Sequence, residues 1–262
     1  MTEATETRSV ELEVTIDAPV EAVWKALSDA AELVRWFAPE AKVKPGVGGT
    51  IWISWGEGMA GEGRIRVWEP NRRLVWSEGE APAGATPILV DFEIEGRAGS
   101  TVVRLVHSGF GASADWDEQY NATKAGWTYF LFNLAFYLAR HRGRSRQMVS
   151  SRRRTRRSFS EIWNALLGKE GLEATSTTPD QPFRITLGGA SHTGEVKIAS
   201  EPRSFAGTLT SLNDGLIFIE MEPGAEAWHC GVWISLYDVA KERVQEVQTA
   251  LDGVMDRVFA EA

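Results

Sequence analysis

Residues 116–138 constrain the fold more than any other stretch of the chain. Trp116, Tyr120, Trp127, Leu131, Leu134 and Leu138 recur at helical spacing, and Phe130, Phe132, Phe136 and Tyr137 spread the apolar surface well beyond one stripe. A helix that is apolar over so much of its circumference has to be enclosed on most sides. Lipid is not the expected enclosure. The nearly apolar run 127–138 is shorter than the ~20 residues a membrane span needs and is interrupted by Asn133. The helix is therefore expected inside protein, starting at a capping box formed by Asp115 and Glu118 and running to about Arg140.

The residues before it supply the enclosing material. Val10, Leu12, Val14 and Ile16 alternate with Glu11, Glu13 and Thr15, the period of a strand covered on one face. Asp17 and Pro19 are helix start signals, after which Val20, Val23, Trp24 and Leu27 fall on one helical face. A short second helix carries Leu33, Val34 and Phe37 until Pro39 ends it. Residues 51–55, 64–68, 74–76, 88–94 and 101–107 read as strands separated by Gly, Pro and Asn turns, an antiparallel meander.

At 262 residues the chain is long for one domain, and the same order returns in its second half. Glu161-Ile-Trp-Asn-Ala-Leu echoes Ala22-Val-Trp-Lys-Ala-Leu, and residues 193–203 echo residues 61–72. Strands are expected at 183–187, 195–198, 204–210, 216–221 and 228–237. A closing helix then places Val244, Val247, Leu251, Val254, Met255 and Val258 on one side. The second copy lacks an opening strand in this reading. The expected organisation is a first domain at 9–143, an arginine-rich linker at 144–158 and a degenerate second domain at 159–262.

These quoted segments carry a family resemblance. Residues 14–27, then Trp36-Phe37, Gly48-Gly49 and the run 63–76 that contains Val-Trp-Glu-Pro-Asn-Arg, resemble the bacterial branch of the START-like (SRPBCC) superfamily named after homologues of an activator of the heat-shock chaperone ATPase. The resemblance covers about residues 9–143. It implies an α+β fold of two helix-grip units, each an antiparallel sheet wrapped around a long C-terminal helix, usually with a cavity between them. Family members include small-ligand binders, polyketide cyclases and chaperone regulators, so the resemblance implies a scaffold rather than a reaction.

Parity along the strands orients the interior. Arg104 would be costly to bury unpaired, so it faces water with Val102 and Val106, and Val103, Leu105 and His107 point inward. Asp91, Glu93 and Glu95 face outward in the same way, placing Val90, Phe92 and Ile94 inside, with Leu74 and Trp76 sharing a face next door. The expected lining of a cavity is Trp55, Leu74, Trp76, Val90, Phe92, Leu105, His107, Trp127 and Phe130. The same side chains would also serve as plain core. His107 is either a core histidine bonded to a neighbour or a group that orients a ligand or moves a proton.

Other chemistries find less support. Four scattered histidines, with no Cys-x-x-Cys or His-Glu-x-x-His spacing, imply no metal site, and no cofactor is implied either. Gly56, Gly58 and Gly61 spell a dinucleotide fingerprint, but the alternating Arg64-Ile-Arg-Val-Trp that follows predicts a hairpin in place of the required helix. Cys230 shares its parity with Trp228, Val232 and Ile234, which predicts a buried, inert thiol. That lone cysteine, and the lack of a charged-then-apolar leader ahead of Ser9, point to the cytoplasm.

Residues 140–157 hold nine arginines and no acid, leaving nineteen basic residues against thirty-six acidic ones elsewhere. The run is expected to lie against the protein's own acidic surface; without interleaved aromatics, nucleic acid is not expected to bind it. The functional expectation is a small apolar or amphipathic ligand held by the first domain. The alternatives are a protein-interaction module, such as a chaperone regulator, and a cyclase-like or hydrolase-like enzyme using His107.

Overall fold

The structure, a computed structural model, describes residues 7–56, 58–79, 86–223 and 227–260, and it divides into two compact units, Met1–Gly143 and Arg144–Ala262. In the first unit β1 (Thr7–Ile16) precedes two short helices, α1 (Val20–Ser28) and α2 (Ala30–Trp36). The strands β2 (Glu40–Lys44), β3 (Thr50–Ser54), β4 (Ala60–Glu69), β5 (Arg73–Glu78), β6 (Leu89–Arg97) and β7 (Ser100–Gly111) follow. The long helix α3 (Asp117–Phe136) ends the unit and runs into one π turn, Tyr137–His141.

The seven strands form one antiparallel sheet in the order β1-β7-β6-β5-β4-β3-β2. β1 returns to close one edge, setting Leu12 opposite Leu105 and Val14 opposite Val103, so that apolar alternates meet in register. At the other edge β2 carries Glu40, Lys42 and Lys44 on its exposed positions; charges there discourage pairing with another chain.

α3 is buried in several directions, as its composition demands. Trp127, Tyr129, Leu131, Asn133, Leu134, Tyr137 and Leu138 are all inside, while its first turns are more exposed. Polar groups at this depth need partners. The Trp36 indole donates to the Ala26 carbonyl (2.9 Å), Asn133 Nδ2 donates to the Trp36 carbonyl, and the Tyr137 hydroxyl donates to Glu32 Oε2 (2.6 Å). Glu32, 7% exposed, also takes Arg35 at 2.6 Å. These bonds tie α1, α2 and α3 together. The expected Asp115–Glu118 capping box does not form. A 3-10 turn at Ala114–Trp116 places Asp115 inside a turn, and neither the turn nor α3 has a side-chain cap. Asp117 occupies the first position of α3, where a carboxylate suits the helix dipole, and accepts from Arg8 (2.6 Å).

The second unit contains β8 (Arg146–Thr155), α4 (Phe159–Leu167), β9 (Pro182–Leu187), β10 (Ala190–Ser200), β11 (Ser204–Leu209), β12 (Gly215–Glu222), β13 (Trp228–Tyr237) and α5 (Lys241–Val258), with sheet order β8-β13-β12-β11-β10-β9. The echoed segments take equivalent places: α4 follows its opening strand as α1 does, and β10 lies fifth in its sheet as β4 does in the first. Phe205, Ile217, Ile219, Met221, Val232 and Ile234 build the core with Ile162, Leu166, Val247, Leu251 and Met255.

The arginine-rich segment expected to be a linker is strand β8, and it is the opening strand that the second copy was expected to lack. It pairs with β13 along its whole length, from Trp228 opposite Thr155 to Tyr237 opposite Arg146. Val149 is its one fully buried apolar residue. The other inward positions are held by polar contacts from α5: Ser151 donates to Asp252 (2.9 Å), Arg153 donates to Asp256 (2.7 Å), and Gln248 bonds both the N–H and the C=O of Ser150. Two strand residues advance ~6.7 Å and four helix residues ~6 Å, so alternate strand positions meet every fourth helix position. The expected pull toward the protein's own acids is present in Arg152–Glu222 and Arg144–Asp238.

α4 starts with a true capping box: Ser158 Oγ accepts from the Glu161 N–H (3.3 Å) and the Ser158 N–H donates to Glu161 (2.7 Å). Ser158→Ala is expected to destabilise the second unit by about 1 kcal/mol in urea unfolding, with Ser158→Gly costing only a few tenths. Equal losses for both would show that the cap itself contributes little.

Candidate functional site

The inner face of the first sheet presents two rows of side chains. Val10, His107, Val90 and Trp76 lie opposite one another across β1, β7, β6 and β5; Leu12, Leu105, Phe92 and Leu74 form the next row. Leu74, Val90, Phe92 and Leu105 are at most 1% exposed, and Trp76 is 7% exposed. Trp76 stands opposite Ile65, and its ring takes the space beside Gly63, the partner of Glu78, where a Cβ would lie 2.5 Å from Trp76 Cδ1. Parity placed His107 and Leu105 inside correctly. Val102 lies on the outer face with Arg104, yet is 3% exposed where water contact was expected.

Helix α3 adds Trp127 and Phe130, and Trp55 follows β3. Trp127 meets Phe92 edge-on (5.6 Å between centroids) and Phe130 at 6.0 Å; Phe130 lies 6.0 Å from Trp55. The ring that joins them is Phe37, which sequence reasoning had placed only on the second helix. It stacks on Trp127 (5.5 Å) and meets Trp55 (5.2 Å) and Phe130 (4.6 Å) edge-on. The hydrogen bonds of Trp36 and Asn133 fix the backbone beside it. Trp55 and Phe130 are partly exposed, so the cluster reaches the surface on their side.

His107 is the polar centre of this apolar surface. The Trp127 indole N–H donates to His107 Nδ1 at 2.8 Å. Because an indole can only donate, Nδ1 must present its lone pair, and the proton of the neutral ring sits on Nε2. Nε2 is buried and has no hydrogen-bond partner among the described residues. Its nearest opposite group is Glu78 Oε1 at 3.6 Å, too far for a direct bond. Burial pushes the His107 pKa down to about 4 and raises that of the half-exposed Glu78 carboxyl. Glu78 was not among the expected site residues, though it shares the parity of Leu74 and Trp76, which was the available signal.

The remaining motifs behave as follows. Gly56 and Met59 lie in the β3–β4 hairpin, closed by Trp55 N–H to Met59 C=O (3.0 Å) and Met59 N–H to Gly56 C=O (3.1 Å), with no helix after it; Glu57 lies outside the described residues. Cys230 is buried and its thiol is pushed well above its ordinary pKa by burial. Among the described residues no group of three or more His, Cys, Asp or Glu side chains is placed to hold a metal ion, and no helix is long and apolar enough to cross a membrane.

The His107 pKa carries a stability consequence. A folded-state value near 4, against 6.5 for an ordinary imidazole, means that the unfolded chain binds the proton more readily between these pH values. The stabilisation is complete above pH 6.5 and is lost as the pH falls toward 4, up to about 3 kcal/mol. Urea unfolding from pH 7 to 4 should show wild type losing this increment relative to His107→Phe; parallel pH profiles would mean that His107 titrates normally.

Comparison with known proteins bears on the first unit. Residues 17–139 match the family described as Activator of Hsp90 ATPase homolog 1-like protein. No curated protein matches the chain. Among solved structures, the Aha1 dimer from Colwellia psychrerythraea is 23% identical, covering 50% of this chain and 96% of that one with a TM-score of 0.45. A protein from Mesorhizobium loti is 27% identical, covering 51% and 98%, TM-score 0.44. DynU16, from the dynemicin biosynthetic locus, is 20% identical and covers 96% of both chains, TM-score 0.44. The family match therefore falls on the unit whose sheet and closing helix have just been described: residues 17–139 are similar to the family of activator of Hsp90 ATPase homologues, and the second unit repeats the same order of elements in reduced form.

Proposed function

We propose that the first unit binds a small apolar or amphipathic molecule against the Trp55–Phe37–Phe130–Trp127 cluster, with His107 as its polar anchor. The observation that carries this reading is the unpaired Nε2 of His107, a buried donor within an aromatic surface. A buried donor without an acceptor is costly, and a ligand oxygen would remove that cost. Burying ~200 Å² of ligand apolar surface would contribute about 5 kcal/mol before the entropy of association is subtracted. The lining in this proposal is Trp55, Leu74, Trp76, Val90, Phe92, Leu105, His107, Trp127 and Phe130, the residues expected from sequence, together with Phe37.

The matched family's name also suggests a protein partner. The enzymatic alternative gains a second polar group in Glu78, but a histidine that stays neutral down to about pH 4 is a poor proton shuttle near pH 7. Binding is therefore preferred to catalysis. A cytoplasmic location is part of the proposal and agrees with a single, buried thiol.

Titration of the full chain with the fluorescent apolar probe N-phenyl-1-naphthylamine should give saturable binding. Phe130→Asp, at a partly exposed ring, should weaken it by ~10-fold or more. Absence of saturable binding to wild type, or equal binding by Phe130→Asp, would overturn the proposal. Native mass spectrometry of the gently purified protein provides an independent view through any molecule that co-purifies.

A further inference from the structure

The polar end of this site has a specific chemical complement. His107 Nε2 can only donate, since the Trp127 bond to Nδ1 fixes the tautomer. The Glu78 carboxylate, 3.6 Å away, can only accept when ionised. The position of Glu78 is set by the sheet. Its N–H donates to the Ile88 carbonyl (2.9 Å), and the next N–H, of Gly79, donates to the Glu62 carbonyl (3.3 Å).

Fixed donor and acceptor 3.6 Å apart are too far to bond each other, but an oxygen beside the gap can sit ~2.8 Å from both, with ~80° between the two directions. That oxygen must accept from His107 and donate to Glu78. A hydroxyl does both. A carbonyl or ether satisfies only His107 and leaves its lone pairs facing the carboxylate; a carboxylate is repelled by Glu78, and an ammonium offers His107 nothing to accept its proton. The rings of Trp127 and Phe92 flank the histidine side of the site, Trp127 lying 6.2 Å from the His107 ring and 5.6 Å from Phe92, so the group carrying the hydroxyl meets aromatic surface.

Resting on the apolar-site reading above, we infer that the His107–Glu78 pair selects ligands bearing one hydroxyl on an aromatic or polycyclic body, with that hydroxyl bridging Nε2 and the carboxylate. Glu78 is half exposed, so the carboxylate stands on the side of the pair that reaches water. The hydroxyl then lies at the solvent end and the apolar body points inward. The neutral state of His107 near pH 7 keeps this pairing of one donor with one acceptor intact.

The test is displacement of N-phenyl-1-naphthylamine from the full chain by 2-naphthol, naphthalene and 2-naphthoate, compared as ratios of half-displacing concentration. Wild type is expected to prefer 2-naphthol to naphthalene by about tenfold, the worth of hydrogen bonds to one neutral and one charged group, and to discriminate against 2-naphthoate. His107→Phe and Glu78→Leu should each bring the naphthol-to-naphthalene ratio toward one. Equal displacement by naphthol and naphthalene in wild type would overturn the inference while leaving the apolar site standing, and it does not depend on any variant folding. A wild-type protein that fails to bind the probe would instead remove the reading beneath it. A preference that survives both substitutions would assign hydroxyl selection to other residues and also overturn the inference.

Discussion

The structure of the first unit follows from the need to bury a helix that has apolar groups on most of its sides. Tyr129, Leu131 and Asn133 on α3 are inside as fully as Trp127 and Leu134, so one flat surface could not cover them. The sheet covers one side, with β1 brought back against β7, and α2 and its buried bonds hold another. Burial on that scale forces each polar group to find a partner, and most do. Glu32 serves Arg35 and Tyr137, and Asn133 serves the Trp36 carbonyl. His107 has one ring nitrogen satisfied by Trp127 and the other left over, as Ser77 Oγ and Asn133 Oδ1 also are. Of these, the His107 nitrogen is the one set among the aromatic rings, and the proposed binding rests on it.

The second unit meets a milder demand with different means. α5 is apolar on one side only, with Val247, Leu251, Val254, Met255 and Val258 turned to the sheet. Its flank carries Gln248, Asp252 and Asp256, and these hold the arginine-bearing strand β8 in place of a hydrophobic contact. Partly exposed ion pairs such as Arg153–Asp256 contribute little singly. The ten-rung ladder with β13 supplies the main attachment, and the helix contacts set which face of β8 turns inward.

Much of this was legible from residue order because it depends on local periodicity. The alternation of β1, β6 and β7 and the stripes of α1 and α5 gave correct elements, and the outward charge of Arg104 alone was enough to turn His107 inward. β8 was missed because its burial pattern is completed by Gln248, Asp252 and Asp256, about a hundred residues away, with Val149 the only strong local signal. Phe37 was visible as an apolar helix residue, but its contacts with Trp55, Trp127 and Phe130 arise only when three elements converge. Glu78 was passed over because a carboxylate at a strand end normally faces water, and only its parity with Trp76 argued otherwise.

The closing of each sheet by its opening strand also orders events during synthesis. β1 pairs with β7, so Thr7 must wait for Gly111 and Ile16 for Thr101; β8 waits in the same way for β13. Contacts between such distant residues carry a large loop-closure cost and form late. On the ribosome, β1 therefore emerges long before its partner exists, and its exposed hydrogen-bonding edge is a point where a nascent chain is vulnerable to mispairing. The alternating Glu11, Glu13 and Thr15 keep that waiting segment polar on one face, which makes the same residues that orient the finished strand a safeguard for the unfinished one.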